Sequence, residues 1–372
     1  MTTNLEIDVR AIQDEERSLP APFAIADVTK HTMQAPLLEY VSQKIHQKIK
    51  SQVWSCILVR GAYLRSHPAI PADCEKQHKR FNWHRPTATV VSDTTLVLNC
   101  FPAVAYVQHY AGLVATYLAL TGGDPRIVQY VPPTVDQCME PFLKQNLSEM
   151  GQVDVVVVGY VYRLTRLFSK AEDGTPFAWE KQTLPNGRTV AYLECMASFW
   201  GDAAGYLVRA LQRLNGIKCV IYLGKAGSLR PPDLQPNEWI VTGERSFMGE
   251  NSVVWHNVLL DEAKKSSRVR QGDIVTVPSP LCESQEWLSC WQTRCDWVDC
   301  ELAHMVEASK EGNTDVGYLH IISDNVARPF GETLANEHNS GVQARRKVLF
   351  QEMEDILERF LENYGKIDFN ND

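Results

Sequence analysis

The clearest pattern along the chain is a series of short apolar, β-branched runs separated by amphipathic stretches. TATVVSDTTLVLNC (87–100), RTVAYLECMASF (188–199), KCVIYLG (218–224), EWIVTGER (238–245), GDIVTVPSP (272–280) and VGYLHIISDN (316–325) read as strands, and VDVVVVGYVYRLTRLF (153–168) opens on a continuous apolar run. Such a run suits a strand covered on both faces. Between them, FPAVAYVQHYAGLVATYLAL (101–120) reads as an apolar helix. GDAAGYLVRALQRLNG (201–216) sets Ala204, Leu207, Val208, Leu211 and Leu214 along one helical stripe, with Gly216 as its stop. A further helix opens near Glu301. The last stretch, GVQARRKVLFQEMEDILERFLENYG (341–365), buries Leu349, Met353, Ile356, Phe360 and Tyr364 on one side of a long helix. Strands alternating with helices predict an α/β domain with helices on both faces of a sheet, and such sheets bind ligands at the carboxyl ends of their strands.

The first 90 residues differ. They are polar and hold His31, His46, His67, His78 and His84, five of the ten histidines, at no regular spacing. APLLEYVSQKIHQKIKSQV (35–53) reads as one helix, through Leu37, Leu38, Val41, Ile45 and Ile49. This predicts a smaller, partly helical extension over residues 1–90, followed by the main domain over 91–372.

With 372 residues, 44% of them hydrophobic, the chain can bury a sizeable core. A net charge of −8 argues against general nucleic-acid or anionic-membrane binding, although a local pocket for a small anion remains open. The N-terminus has neither a basic nor an apolar signal region, and no run is long enough to span a bilayer as a helix; a cytoplasmic protein is expected. Its ten cysteines contain no C-x-x-C and read as free thiols. Cys290, Cys295 and Cys300 recur every five residues, and Cys74, His78 and His84 lie close together. Neither set has zinc spacing, so no metal is expected.

The stretch VIYLGKAGSLRP raises a sharper question, because it sets Lys225 between Gly224 and Gly227 at the end of an apolar strand. It is not a P-loop: Ala226 follows the lysine and the upstream glycine is missing. Nor is it a dinucleotide fingerprint, since the prolines of LRPPDLQP stop any long helix. An ordinary tight turn with Lys225 in water is the plain alternative.

Taken in order, FWGDAAGYLVRAL, VIYLGKAGSL, EWIVTGER, VDCELAHMVEA and IISDN resemble the motif series of the nucleoside phosphorylase and nucleosidase superfamily, over about residues 150–345. The resemblance implies a three-layer α/β/α nucleoside-phosphorylase-like domain around a central mixed sheet. It also implies cleavage of the N-glycosidic bond of a purine nucleoside or nucleotide, and a homo-oligomer. No cofactor is implied beyond inorganic phosphate as a possible co-substrate. On this reading Glu301 holds the ribose hydroxyls and Asp324, after Ser323, protonates the purine. A carboxylate accepts two hydroxyl hydrogen bonds at once, and burial can raise an aspartate enough to donate. Trp297 and Val298 would line the base pocket, with Cys300 where the family has methionine. Gly224, Lys225, Gly227 and Ser228 would cradle a phosphate, the lysine replacing an arginine lost at Tyr222. LTGGDPRIVQYV resembles a phosphate-binding turn, with Arg126 one position early. Of Arg163 and Arg166, three apart on a presumed strand, at most one can face an anion. Hydrolytic members carry a glutamate on the first strand, which here has no acid; Glu194 is a distant substitute.

Taken singly, each residue has a plainer reading: Glu301 as a first-turn glutamate, Asp324 as a turn residue or cap, Trp297 as core. The tyrosine at 222, Cys300 and the long extension leave open a catalytically silent nucleoside-binding or regulatory protein. A third reading is an altered transfer reaction with Lys225 as nucleophile.

Overall fold

The computed structural model describes residues 18–75, 81, 84–168, 175–230, 234–328, 334 and 337–365. The first strands, β1 (Leu19–Pro20), β2 (Cys56–Gly61), β3 (Thr87–Ser92), β4 (Thr95–Cys100) and β5 (Val128–Val131), build a five-stranded sheet in the order β1-β5-β2-β4-β3. Helix α1 (Pro36–Ser42) packs on α2 (Val104–Leu120), and α2 lies against β2, β4 and β5. After α3 (Val135–Leu143) the chain enters a second, larger sheet of eleven strands.

That sheet is mixed. One path runs from β7 (Phe177–Thr183) to β8 (Thr189–Cys195), β6 (Val155–Gly159) and β9 (Cys219–Ser228). It continues through β16 (Asp315–Asn325) to β10 (Ile240–Thr242) and β13 (Val269–Gln271). A branch leaves the upper end of β9 through β15 (Trp297–Asp299), β14 (Ile274–Thr276), β11 (Arg245–Met248) and β12 (Asn251–Val254). Helices α4 (Asp202–Asn215) and α7 (Leu302–Glu311) pack together, as do α5 (Leu260–Ala263) and α8 (Ser340–Asn363); the short α6 (Gln285–Trp291) precedes β15. Both α7 and α8 touch β16, which gives the sheet a helical layer on either side.

The predicted stripe of α4 is buried at Ala204, Leu207, Val208 and Leu211, and Gly216 closes the helix in the left-handed conformation. The C-terminal helix buries Leu349, Met353, Ile356 and Phe360 as read. The stretch 35–53 is not one helix. Its chain turns between Ser42 and Gln47, because His46 accepts the Lys48 N–H at Nδ1 (3.1 Å) and reaches the Ile70 carbonyl with Nε2 (3.1 Å), capping a separate 3₁₀ turn.

Residue 90, the expected division, falls inside β3, where Thr87 to Val90 pair with Asn99 to Leu96 of β4. The small sheet runs on to Val131, so the change from one sheet to the other comes near residue 150. One continuous core joins the two sheets, for example through Phe101, Phe142 and Phe177, with ring centroids 5.4 and 5.9 Å apart. A polar tie fixes the junction: the Asp202 carboxylate of α4 accepts the Val104 and Ala105 N–H groups at 2.9 Å each. It thereby caps α2, whose own N-cap Ala103 has no side chain to do so.

Strand β6 ends abruptly at Gly159, with φ +99°. A Cβ there would lie 2.0 Å from the Leu223 carbonyl oxygen. Gly159→Ala should therefore lower the free energy of unfolding by about 2–3 kcal/mol, measured by urea denaturation, from backbone strain and the clash together.

Candidate active site

Strand β9 is the hinge of the site. On one edge β16 pairs with it along its length. On the other, β6 pairs only as far as Leu223 and β15 begins only at Gly227. Gly224, Lys225 and Ala226 thus have no partner strand on that edge among the described residues, and the sheet opens there. The expected glycine loop is in fact continuous strand, because β16 carries it to Ser228. Gly224 does not reach the opening. A Cβ on it would come 2.7 Å from His320 Nε2 and 2.8 Å from the Tyr222 ring, so its lack of a side chain serves that packing.

A cleft fills the opening, with about 750 Å³ of empty space, mouth included. Its floor carries Lys225, Ala226, Gly227, Val298, Cys300 and Ser323, and its walls are aromatic: Tyr40, Phe81, Tyr160, Phe199, Trp200 and Tyr222. Tyr40, Lys44 and Phe81 come from the N-terminal part of the chain.

Five carboxyl groups face this space: Glu283, Asp299, Glu301, Asp324 and Glu337. Asp324 and Ser323 both reach it because β16 is irregular between Ile322 and Asp324. A regular strand would send neighbouring side chains to opposite faces. Ser323 Oγ donates to Asp324 Oδ1 at 2.7 Å. Enclosure pushes the Asp324 carboxyl above the usual aspartate range; Ser323 and Lys225 pull against this, and Glu337 adds to it.

Glu301 is the N-cap of α7 and accepts the Tyr222 hydroxyl at 3.2 Å. Its direction is set by Asp299, whose carboxylate accepts the N–H groups of Glu301 (3.3 Å) and Leu302 (2.7 Å) and the Thr276 hydroxyl (2.6 Å). Burial raises Asp299 to about 6, against those three hydrogen bonds. Behind Tyr222 stands His320, edge-on at 4.9 Å and kept neutral, its pKa lowered to about 3 by burial.

Several sequence-based candidates lie elsewhere. Trp297 is enclosed in the core with Arg230 over its ring, and stacking surfaces in the cleft come from other aromatics. Ser228 is fully buried and accepts the Arg230 N–H at 3.2 Å. Arg126 is exposed and pairs with its neighbour Asp124 at 2.9 Å. Arg163 and Arg166 are not on a strand, because the chain leaves β6 at Gly159. Arg163 donates to Gln343 (2.7 Å), and Arg166 pairs with Glu354 (3.3 Å) and Asp355 (2.6 Å) on α8. Glu194 is fully buried outside the cleft lining. His78 lies outside the described residues. Among the described residues no group of three or more His, Cys, Asp or Glu is arranged to hold a metal, all ten cysteines are free, and no helix is long and apolar enough to cross a membrane.

Sequence reading missed Glu283 and Glu337. Glu283 is 4% exposed, and its carboxyl has no hydrogen-bond partner among the described residues; burial and the nearby Asp324 push it well above the glutamate range. No local motif announces it. Glu337 pairs with Lys225 across 112 residues of sequence.

No protein-family profile and no curated protein sequence matches the chain. Among solved structures it is similar to futalosine hydrolase of Helicobacter pylori strain 26695, at 14% identity and a TM-score of 0.43, over 57% of this chain and 98% of that one. It is similar to purine nucleoside phosphorylase from Toxoplasma gondii in complex with immucillin-H (14%, 0.44, 58% and 94%). A third is the 5′-methylthioadenosine/S-adenosylhomocysteine nucleosidase from Colwellia psychrerythraea 34H, in complex with adenine (15%, 0.40, 57% and 94%).

The buried Asp299 makes a pH prediction. Its folded pKa of about 6 lies above the ordinary 3.8, so the folded state favours the protonated form. The stability cost is absent below pH 4 and grows to about 3 kcal/mol as pH rises through 6. Asp299→Asn keeps the two N–H acceptor contacts and should remove this dependence. The Tm difference, variant minus wild type, should increase between pH 4 and pH 7.

Proposed function

We propose that the cleft binds a purine nucleoside or nucleotide and breaks its N-glycosidic bond. The observation that carries this reading is the meeting, in one aromatic-walled cleft at the sheet opening, of two carboxyl groups with opposite tasks. Glu301 is held by Tyr222 and by the turn that Asp299 caps. It is suited to accept the 2′ and 3′ hydroxyls of a ribose. Asp324 is raised by enclosure and suited to give a proton.

The bond between C1′ and the base nitrogen breaks with its electron pair leaving on the base, and Asp324 transfers its proton to that base. Positive charge builds on the sugar, in an oxocarbenium-like transition state. An oxygen of water or phosphate then bonds to C1′. With water, the surplus proton returns to Asp324. With hydrogen phosphate, the product is a sugar 1-phosphate, and the proton it sheds returns to Asp324. Burial and Asp324 push the Glu283 carboxyl toward its protonated form, in which it can donate and accept at once, and this suits the edge of a heterocyclic base next to Asp324. The aromatic walls suit its faces.

The ion pair on Lys225 favours a second reading, a nucleoside-binding protein without turnover, since the cation meant for an anion already has one. Free-base release from a panel of nucleosides and their 5′-phosphates, followed by mass spectrometry, separates the two. Wild type should release base, and Asp324→Asn should slow release at least about a hundred-fold with little change in Tm. Unchanged release by the variant would remove Asp324 from the chemistry. Binding without release would leave the second reading.

A further inference from the structure

At the floor of the cleft, Lys225 donates to Glu337 Oε2. The same oxygen receives Arg346 Nη1 at 3.2 Å. Glu337 is 5% exposed and Arg346 4%. Two cations converging on one oxygen away from bulk water form an anion site, and here a carboxylate of the chain itself fills it. The carboxylate is held in place from behind. Gln343 of α8 donates to the Glu337 carbonyl at 2.7 Å and itself accepts from Arg163 at 2.7 Å, while Asn237 accepts from Arg346 Nε. One donor is left over: Arg346 Nη2 is buried and has no hydrogen-bond partner among the described residues. A carboxylate oxygen is therefore a poorer match for this pair of cations than a tetrahedral oxyanion, which offers more oxygens than Glu337 supplies.

We propose that Glu337 is a built-in anion that occupies the Lys225–Arg346 site and excludes inorganic phosphate, so that the nucleophile left to the cleft is water. The choice of water rests on the glycosidic reading above; the exclusion of phosphate does not. Lys225 and Glu337 both line the cleft, so whatever holds the lysine also decides which anions the cleft admits. Paired with two cations, Glu337 serves to exclude and to position.

The test is phosphate binding, which needs no turnover. Inorganic phosphate is titrated into the full-length protein by calorimetry and by thermal shift, against sodium chloride of matched ionic strength. Wild type should show no phosphate-specific heat and no rise in Tm. Glu337→Ala leaves the buried Arg346 and the partly buried Lys225 without their shared carboxylate and should lose stability in chloride. Phosphate should restore it, with a gain in phosphate affinity of at least about ten-fold over wild type. Glu337→Gln keeps the shape and loses the charge. It should show a smaller gain in the same direction, and it carries the test if the alanine variant does not fold. Adding Lys225→Ala to either variant should abolish the effect. Phosphate binding by wild type as tight as by the variants would overturn the proposal, as would folded variants that gain none. If the phosphate results come out as expected while no nucleoside is cleaved, the exclusion stands and the glycosidic reading falls. If base is released but only with phosphate, the glycosidic reading stands and the exclusion falls.

Discussion

Strand β9 cannot be paired on both edges along its whole length, because β6 leaves it at Leu223 and β15 joins it only at Gly227. The cleft and its chemistry follow from that short opening along β9. Lys225 and Ala226 face a space that no strand fills, and the chain brings carboxyl groups to it from several directions. Openings of this kind, where neighbouring strands diverge, are where α/β sheets hold ligands. Gly159 makes the divergence possible on one side. On the other, Gly227 has no Cβ to meet Val298 and Val326, at 3.0 and 2.8 Å, so β15 can close in.

The electrostatics of the cleft are unusual for their crowding. Five carboxyl groups share a space enclosed largely by rings, and low dielectric penalises each charge. The chain answers in different ways at different positions. Asp299 is held by three donors, and Glu337 by two cations. Asp324 and Glu283, like Asp299, are pushed up toward the protonated form. That division gives the cleft acceptors and proton donors side by side, as acid–base chemistry on a polar bond requires.

Much of the architecture was legible because local chemistry decides it. The apolar runs became strands, the stripe of α4 became its buried face, and Gly216 ended the helix as a left-handed glycine. Ser323, Asp324 and Glu301 were readable because they sit in short ordered motifs, and the structure brings all three to one cleft. What was not legible depends on partners far away in sequence. Whether Gly224–Gly227 would be loop or strand was settled by β16, about a hundred residues on. The helical periodicity of 35–53 could not reveal that His46 would cap a new turn against Ile70. Trp297 and Val298 are neighbours with the same apparent claim on the pocket, and only the pairing of β15 with β9 separates them. Glu283 and the Glu337–Lys225 pair had no local signature at all.

The most direct test of the central claim, that Glu301 and Asp324 grip the two ends of one glycosidic substrate, is a crystal structure with a carbon-linked purine nucleoside analogue that cannot be cleaved. The account predicts the ribose 2′ and 3′ hydroxyls on Glu301, a base nitrogen on Asp324 and the rings between the aromatic walls. An analogue bound outside the cleft, or bound in it with the sugar on Asp324, would contradict it.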